Sequence, residues 1–355
     1  MTEEPESETA MNSVRAEYEQ VLQDMTKGFV QALQQARWSH AEAFNQTRIY
    51  PELVDTKTGP VAYLLVDSMR YEMGVELRDQ LNDADQLELR AAVAAIPTIT
   101  PVGMAALMPG SSASFSVTEE GGALAPEVDG NSLPSLPGRL KYLKARVPGM
   151  VDCELGKLLG MTTRQVEKKI ADAALVVVRS QDIDAFGEGG SNQIARQVMD
   201  TAVGNIARTV RKLADVGVER FVVAVDHGHL FTSAKDESMR TDSPGGETVE
   251  LHRRCWIGRG GTTPPGTIRI SGAELGYKTN LDFVFPAGIG VFKAGGDLAY
   301  HHGGLSLQEL LVPVLAIRMV RKAKPTASTV SIILSDVPSE LTNRTMGITI
   351  MAPAS

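Results

Sequence analysis

The chain has 355 residues, 43% of them hydrophobic and 22% charged, the composition of a globular protein with room for one large domain plus an appendage, or for two domains. A formal net charge of -8 excludes a generally basic nucleic-acid coat and leaves room for a local basic site only. Two cysteines, Cys153 and Cys255, are too few for a disulfide framework and point to a reducing, cytoplasmic setting.

The opening stretch MTEEPESETA is acidic and has no apolar core, so Met1 to Ala10 reads as a disordered tail and not as a signal peptide. No apolar run in the chain approaches membrane-spanning length, and no membrane association is expected. From Asn12 to about Asn45, Val14, Tyr18, Val21, Leu22, Met25, Phe29 and Leu33 recur at helical spacing. That spacing predicts a long amphipathic helix, or a pair of helices, packed on the domain or on a partner. VAYLLV, Val61 to Val66, is an apolar strand that runs straight into Asp67, and Ser68 to Asn82 reads as a helix with Ser68 as its N-cap.

After a further strand, about Leu87 to Ile96, the segment PTITPVGMAALMPG puts Thr100 immediately before Pro101. Proline favours the first turn of a helix, so Thr100 is expected at the N-cap of a helix running through Met104 and Leu107. A hydroxyl there is either a structural cap or, among free N–H groups that attract an anion, a nucleophile. Ser111 to Gly149 is rich in Ser, Gly and Pro and reads as an excursion over the core, with a short helix near Leu140 to Ala145. Thr163 to Ala171 is helical, and ALVVVR, Ala174 to Arg179, is a third apolar strand. SQDIDAFGEGG follows with Asp182, Asp184 and Glu188. If this segment coils, Asp184 and Glu188 reach one ion together; if it is an open loop, all three acids lie in solvent.

Ser191 to Ala214 is the next helix, with Ile194, Val198, Val203, Ile206, Val210 and Leu213 as its apolar face, and it leads to FVVAV, Phe221 to Val225. Asp226, His227 and Gly228 follow this buried strand. Asp-His is a hard and a borderline metal ligand on consecutive residues, and the glycine lets the backbone turn both toward one ion; a plain turn is the other reading. Five of the six histidines fall late in the chain, among them His301 and His302 in AYHHGGLSLQELLVPVLAI. Here His302 is the expected ligand, His301 the fallback, and Ser306 caps the helix SLQELL before the strand VPVLAI. In LHRRCWIGRG, the candidates Arg253 and Arg254, with His252 and Arg259, surround Trp256 as for a nucleic-acid strand, or else form one half-exposed strand. Beyond Arg321, KAKPTAS reads as a linker, and TVSIIL and MGITIM as two strands that extend the sheet or begin a longer β-domain.

Alternating strands and helices from Val61 to Val225 predict an α/β fold with a mostly parallel central sheet flanked by helices and an N-terminal helical extension. The expected division is 1–47, 48–321 and 322–355. In such sheets the site lies beyond the carboxyl ends of the strands, where Asp67, Asp184 and Asp226 follow three strands and Thr100 a fourth.

In this order the residues resemble the alkaline phosphatase superfamily, and the Pro-Thr-any-Thr run ending at Thr100 is similar to the nucleophile segment of its phosphodiesterase branch. More closely, DSMRYEMG, IPTITPVGMAALMPG, DIDAFGE, DHG and HHGGLSLQELLVP, spanning about Val61 to Ile317, resemble the PglZ domain of bacterial and archaeal phage-exclusion systems. The resemblance implies a cytoplasmic, zinc-dependent phosphodiesterase or nuclease acting on nucleic acid or nucleotides, with other phage-defence proteins as partners. It implies that Asp67, Asp226, His227 and the Thr100 oxygen hold one zinc, and that Asp184 and His302 hold a second. Many relatives carry a histidine where Glu188 stands. Manganese is the alternative metal, since carboxylate and imidazole suit both. Two such ions about 4 Å apart clamp a phosphate, one of them activating Thr100. The rival readings are a phosphomonoesterase or phosphomutase of the same fold, and a metal-stabilised scaffold without catalysis.

Overall fold

The computed structural model describes residues 4–38, 43–54, 56, 59–189, 192–232, 239–295, 299–320, 333–335 and 349–351, with backbone alone for 4–12, 188–189, 192–198 and the last two segments. A six-stranded sheet organises the chain, in the order Gln86–Val93, Leu311–Arg318, Arg220–Val225, Val61–Val66, Leu175–Ser180, Met150–Glu154. The last four run parallel, and the first two pair antiparallel at one edge. VAYLLV lies in the middle and every one of its side chains is buried, which is why it carries no alternation. Each of its Val and Leu side chains contributes about 1.5–3 kcal/mol of burial. Helices Tyr71–Gln80, Leu155–Gly160 and Asn192–Ala214 pack together beside the sheet, and Val203, Ile206, Val210 and Leu213 of the last bury in the core. Ile194 and Val198, from the same expected face, lie outside the described side chains.

Register decides where the chemistry falls. Val66 pairs with Ser180 on one side and with Val225 on the other, so Asp67 and Asp226 leave the sheet side by side at its carboxyl edge. A second, four-stranded antiparallel sheet, in the order Glu247–Leu251, Trp256–Arg259, Asp282–Pro286, Thr267–Ser271, forms its own core with Ile96, Ile99 and Val102. The excursion after Thr100 holds a three-stranded sheet, Ser116–Glu120, Ala123–Val128 and Asn131–Ser132, and a helix, Leu136–Arg146, longer than the sequence suggests. Ile333–Ser335 and Thr349–Met351 pair antiparallel within a separate compact unit, 321–355; the expected KAKPTAS linker lies outside the described residues.

Several expectations are corrected. The first helix spans Glu4–Gln35 and takes in most of the stretch read as a disordered tail; acids in its first turns favour the positive end of the helix, and Pro5 fits there. Its buried side chains are Leu22, Thr26, Val30 and Leu33, whereas Val14, Tyr18, Val21 and Met25 face solvent. Of the two readings left open for the acids after ALVVVR, the coiled one holds: Asp182–Gly189 is a helix. Ser68 caps no helix, because the following one starts at Tyr71 with Arg70 as its uncapped N-cap residue.

Arg254 is the substantive correction. It is fully buried and forms an ion pair with Glu309 through Nε and Nη2, at 3.2 and 2.9 Å. Its Nη1 donates to the carbonyls of Gly288 and Gly290. No face of the guanidinium remains for a substrate, so Arg254 is a brace between the second sheet and the Ser306–Leu310 turn. Arg253 is half-buried, and Arg259 is engaged by Glu119, Glu247 and Asn280. Removing one partner of a buried pair strands the other charge, so Arg254→Ala should cost about 3–5 kcal/mol of stability. Urea unfolding checks this; a stable variant with weakened substrate binding would restore the recognition role.

Candidate active site

Three ligating atoms converge inside the protein. One atom each from Asp67, Asp226 and His227 lie within 4.8 Å of one another, and all three residues are buried. His227 Nε2 stands 3.7 Å from Asp67 Oδ1 and 3.5 Å from Asp226 Oδ2. The opposite ring nitrogen, Nδ1, lies 3.1 Å from the Gly228 carbonyl. A carbonyl only accepts, so the proton sits on Nδ1 and the lone pair of Nε2 faces the two acids. This is the tautomer and the carbonyl support that a metal-ligating imidazole requires.

The acids are unequally satisfied. Asp226 Oδ1 accepts from the N–H of Ser68 at 3.0 Å and of His227 at 2.8 Å. Asp226 Oδ2 is buried and finds no hydrogen-bond donor among the described residues. Burial pushes the Asp226 carboxyl up to about 8. Burial first, and the neighbouring Asp226 next, push Asp67 well above its ordinary value. A buried oxygen with no donor, a bare imidazole nitrogen and a second carboxylate are a donor set that a divalent cation fits.

Thr100 is the first residue of the helix Thr100–Ala106 and not its cap; Ile99 holds that place, and no side chain caps the turn. Its hydroxyl turns to the acids instead, with Oγ1 3.5 Å from Asp67 Oδ1 and 3.2 Å from His227 Nε2. The helix comes this close because residue 103 is glycine: a Cβ there would lie 2.3 Å from the Asp226 carbonyl oxygen.

Asp184 and His302 form a neighbouring, half-buried set. His302 Nε2 is 3.8 Å from Asp184 Oδ1, and its ring stacks on His227 with centroids 4.4 Å apart. Burial first, and the stacked His227 ring next, which would repel a second protonated imidazole, lower the His302 pKa to about 4 and leave it a neutral imidazole near neutral pH. His301, the fallback, is buried in a strand pairing with Leu230–Phe231. Glu188 follows Asp184 by one helical turn, and its side chain lies outside the described residues.

Sequence reading passed over three residues. Tyr300 donates to Asp184 Oδ1 at 2.9 Å, and its hydroxyl lies 2.5 Å from Ser68 Oγ. Arg139, buried in the helix Leu136–Arg146, lines one small cavity with Asp67 and Thr100 and donates Nη1 to the carbonyls of Leu133 and Pro134. Nothing in local pattern marks Tyr300 or Arg139. Ser68 was open to a better reading, as the residue next to a strand-end acid.

Residues 44–317 match the sequence model of the BREX system PglZ alkaline phosphatase-like domain. The alkaline phosphatase-like protein BrxZ of Escherichia coli O9:H4 (strain HS) is 29% identical over 290 residues, covering 79% of this chain and 32% of that protein. The alkaline phosphatase-like protein PglZ of Bacillus cereus (strain H3081.97) is 25% identical over 332 residues, covering 87% of this chain and 37% of its own length. The chain thus spans about a third of the length of these curated relatives. Among solved structures, murine ectonucleotide pyrophosphatase/phosphodiesterase 5 aligns with a TM-score of 0.48 and 11% identity over 73% of this chain and 88% of that one. Phosphonoacetate hydrolase from Sinorhizobium meliloti 1021 aligns with a TM-score of 0.45 and 9% identity over 76% and 91%. With well over half of its length matched by the family's own model, the chain belongs to the BREX system PglZ alkaline phosphatase-like domain family.

Proposed function

We propose that this chain hydrolyses phosphodiester bonds in nucleic acid or nucleotides, with divalent cations, zinc first and manganese as the alternative, and with Thr100 as nucleophile. The observation that carries the proposal is the approach of Thr100 Oγ1 to within 3.2 Å of His227 Nε2 and 3.5 Å of Asp67 Oδ1, beside a buried carboxylate oxygen without a donor. Asp67, Asp226 and His227, with Thr100, would hold one cation; Asp184 and His302, with Glu188, would hold the second. The cations supply positive charge against the acids and against the phosphoryl oxygens.

The protein's own groups do the rest. Asp67 and Asp226 are fixed by adjacent strands and pay no reorganisation when substrate binds. His227 keeps its proton on Nδ1 and offers Nε2 toward the threonine. Thr100 gives up its hydroxyl proton to solvent as in-line attack forms the Oγ–phosphorus bond and breaks the bond to the leaving oxygen, which takes a proton from water. A second water then attacks phosphorus, releasing the phosphate and returning the Thr100 hydroxyl. The diester preference rests on the Pro-Thr-any-Thr resemblance. The family resemblance carries the further proposals of a cytoplasmic role in phage defence and of other defence proteins as partners.

Hydrolysis of an aryl phosphodiester by the purified chain should exceed that of the matching monoester and should cease with a chelator. Thr100→Ala should lower it by at least about 10³-fold with the fold intact. Faster monoester cleavage would favour the phosphomonoesterase reading, and full activity in Thr100→Ala would remove the nucleophile. Metal bound to a chain inert toward every phosphate ester would leave the scaffold.

A second prediction concerns pH. With no cation, the folded chain retains protons on Asp226, up to about 8, and on Asp67, which the unfolded chain has already released. The folded state then binds more protons at these acids, which lowers stability as pH rises. His302 and His229, which burial keeps neutral down to about 4 and about 3, act the other way, because the unfolded chain protonates them below about 6.5. The two acids and the two histidines offset each other there, and net stability falls as pH rises from about 6.5 toward about 8. Bound cation displaces those protons and removes the slope. Thermal midpoints in chelator at about pH 6.5 and about pH 8, repeated with manganese, test this; equal midpoints in chelator would contradict it. Asp226→Ala should flatten the slope and lower the metal content found by elemental analysis.

A further inference from the structure

Ser68 is the residue on which both halves of the site meet. It follows Asp67 directly and adopts φ +62°, a left-handed conformation that costs a serine about 1–2 kcal/mol. Three bonds, two to the Asp226–His229 turn and one to Tyr300, hold it there. Its N–H donates to Asp226 Oδ1 at 3.0 Å, and its carbonyl accepts from His229 Nδ1 at 2.8 Å. Its Oγ lies 2.5 Å from the Tyr300 hydroxyl, which lies 2.9 Å from Asp184 Oδ1. Tyrosine has one hydroxyl proton, and an ionised carboxylate can only accept. The direction is therefore fixed: Ser68 Oγ–H donates to Tyr300, and Tyr300 O–H donates to Asp184.

The surroundings are built for this contact. Tyr300 is buried and sits in a two-residue strand against Leu230–Phe231, directly before His302. Its ring lies 4.7 Å from that of His229, the residue that holds the Ser68 carbonyl. Gly187, one turn after Asp184 on the same helix, faces the ring: a Cβ there would lie 2.3 Å from Tyr300 Cε2. Only without a side chain at 187 does the helix come near enough for the hydroxyl to reach Asp184. A buried tyrosine needs some acceptor, but this one takes the carboxylate beside His302 and is itself held by the residue that binds Asp226.

We propose that Tyr300, held by Ser68, is the positioning residue of the second cation site. It fixes the Asp184 carboxylate beside the His302 imidazole and ties that pair to the Asp67–Asp226 pair through a single residue. This rests on the two-cation reading proposed above. Tyr300→Phe removes one oxygen from a buried ring and leaves the packing in place. A ligand that loses such support binds metal about 10–100-fold more weakly.

Calorimetric titration of the metal-free chain with manganese or zinc tests the role without reference to turnover. The wild-type chain should take up two ions. Tyr300→Phe should bind the first with unchanged affinity and the second at least about 10-fold more weakly. Gly187→Ala, whose methyl displaces the Tyr300 ring, should give the same selective loss. A general structural role would weaken both ions together, and that result overturns the proposal. So does a second-ion affinity within about twofold of wild type in both variants, with two ions still bound by the wild type. A wild-type chain that binds one ion overturns the two-cation reading and the positioning role with it.

Discussion

Two carboxylates, Asp67 and Asp226, end neighbouring parallel strands inside the protein, and their mutual repulsion is the constraint around which the site is arranged. The sheet register leaves them no choice: Val66 and Val225 are paired, so the residues after them emerge together. Two backbone N–H groups satisfy one oxygen of Asp226, while its other oxygen, an Asp67 oxygen and the bare Nε2 of His227 present lone pairs to one another. The Thr100 hydroxyl, 3.5 Å from Asp67 Oδ1 and 3.2 Å from His227 Nε2, brings a single proton to that contact, too few for three atoms. Protons relieve it in the metal-free chain: burial first, and for Asp67 the neighbouring Asp226 next, hold both carboxyls above the ordinary range. A divalent cation would relieve it more completely, since the three atoms lie within 4.8 Å of one another.

Backbone contacts, more than side chains, carry the nucleophile candidate to this spot. Gly103 lets the Thr100 helix lean on the carbonyl of Asp226, and Gly228 lets the following turn touch the Gln308 carbonyl, where a Cβ would stand 2.0 Å away. Gln46 adds a stitch from the region before the first strand. Its amide nitrogen donates to the carbonyls of Val225 and Asp226, each at 2.7 Å, and its oxygen accepts from the N–H of Ala95 at 3.0 Å. The strand end bearing Asp226 and the approach to Thr100 are therefore held by one side chain. Displacing either moves the other, so distances between them are stiffer than a loop-borne site allows.

The sequence was most legible where burial is continuous. VAYLLV, ALVVVR and FVVAV are buried on both faces, so their apolar runs announce parallel strands, and the acids after them announce an edge. Legibility fails where a residue's role is decided by a partner far along the chain. Arg254 looks like a basic residue beside a tryptophan until Glu309 is found against it, 55 residues on. Tyr300 looks like one more apolar residue before a pair of histidines, because its hydroxyl meets Ser68 and Asp184 only in the folded chain. The first helix misled for another reason: Val14, Tyr18, Val21 and Met25 keep helical spacing, yet the face that buries is Leu22, Thr26, Val30 and Leu33. Periodicity identifies a helix without saying which of its stripes meets the core.

The two halves of the site differ in what the fold requires of them. Asp67, Asp226 and His227 are grown from the centre of the sheet and are wholly buried, so their charge must be neutralised for the fold as much as for the chemistry. Asp184 and His302 come from a short helix and a late loop, are only half-buried, and stay ordered through neighbours such as Tyr300 and the His227 ring. A cation held by the first set would therefore add to the stability of the fold, whereas one held by the second, as proposed, would depend on positioning contacts that can loosen without losing the domain. Differences in substrate or metal among chains built on this sheet should therefore collect around Asp184 and its supports, and not at the Asp67–Asp226 pair.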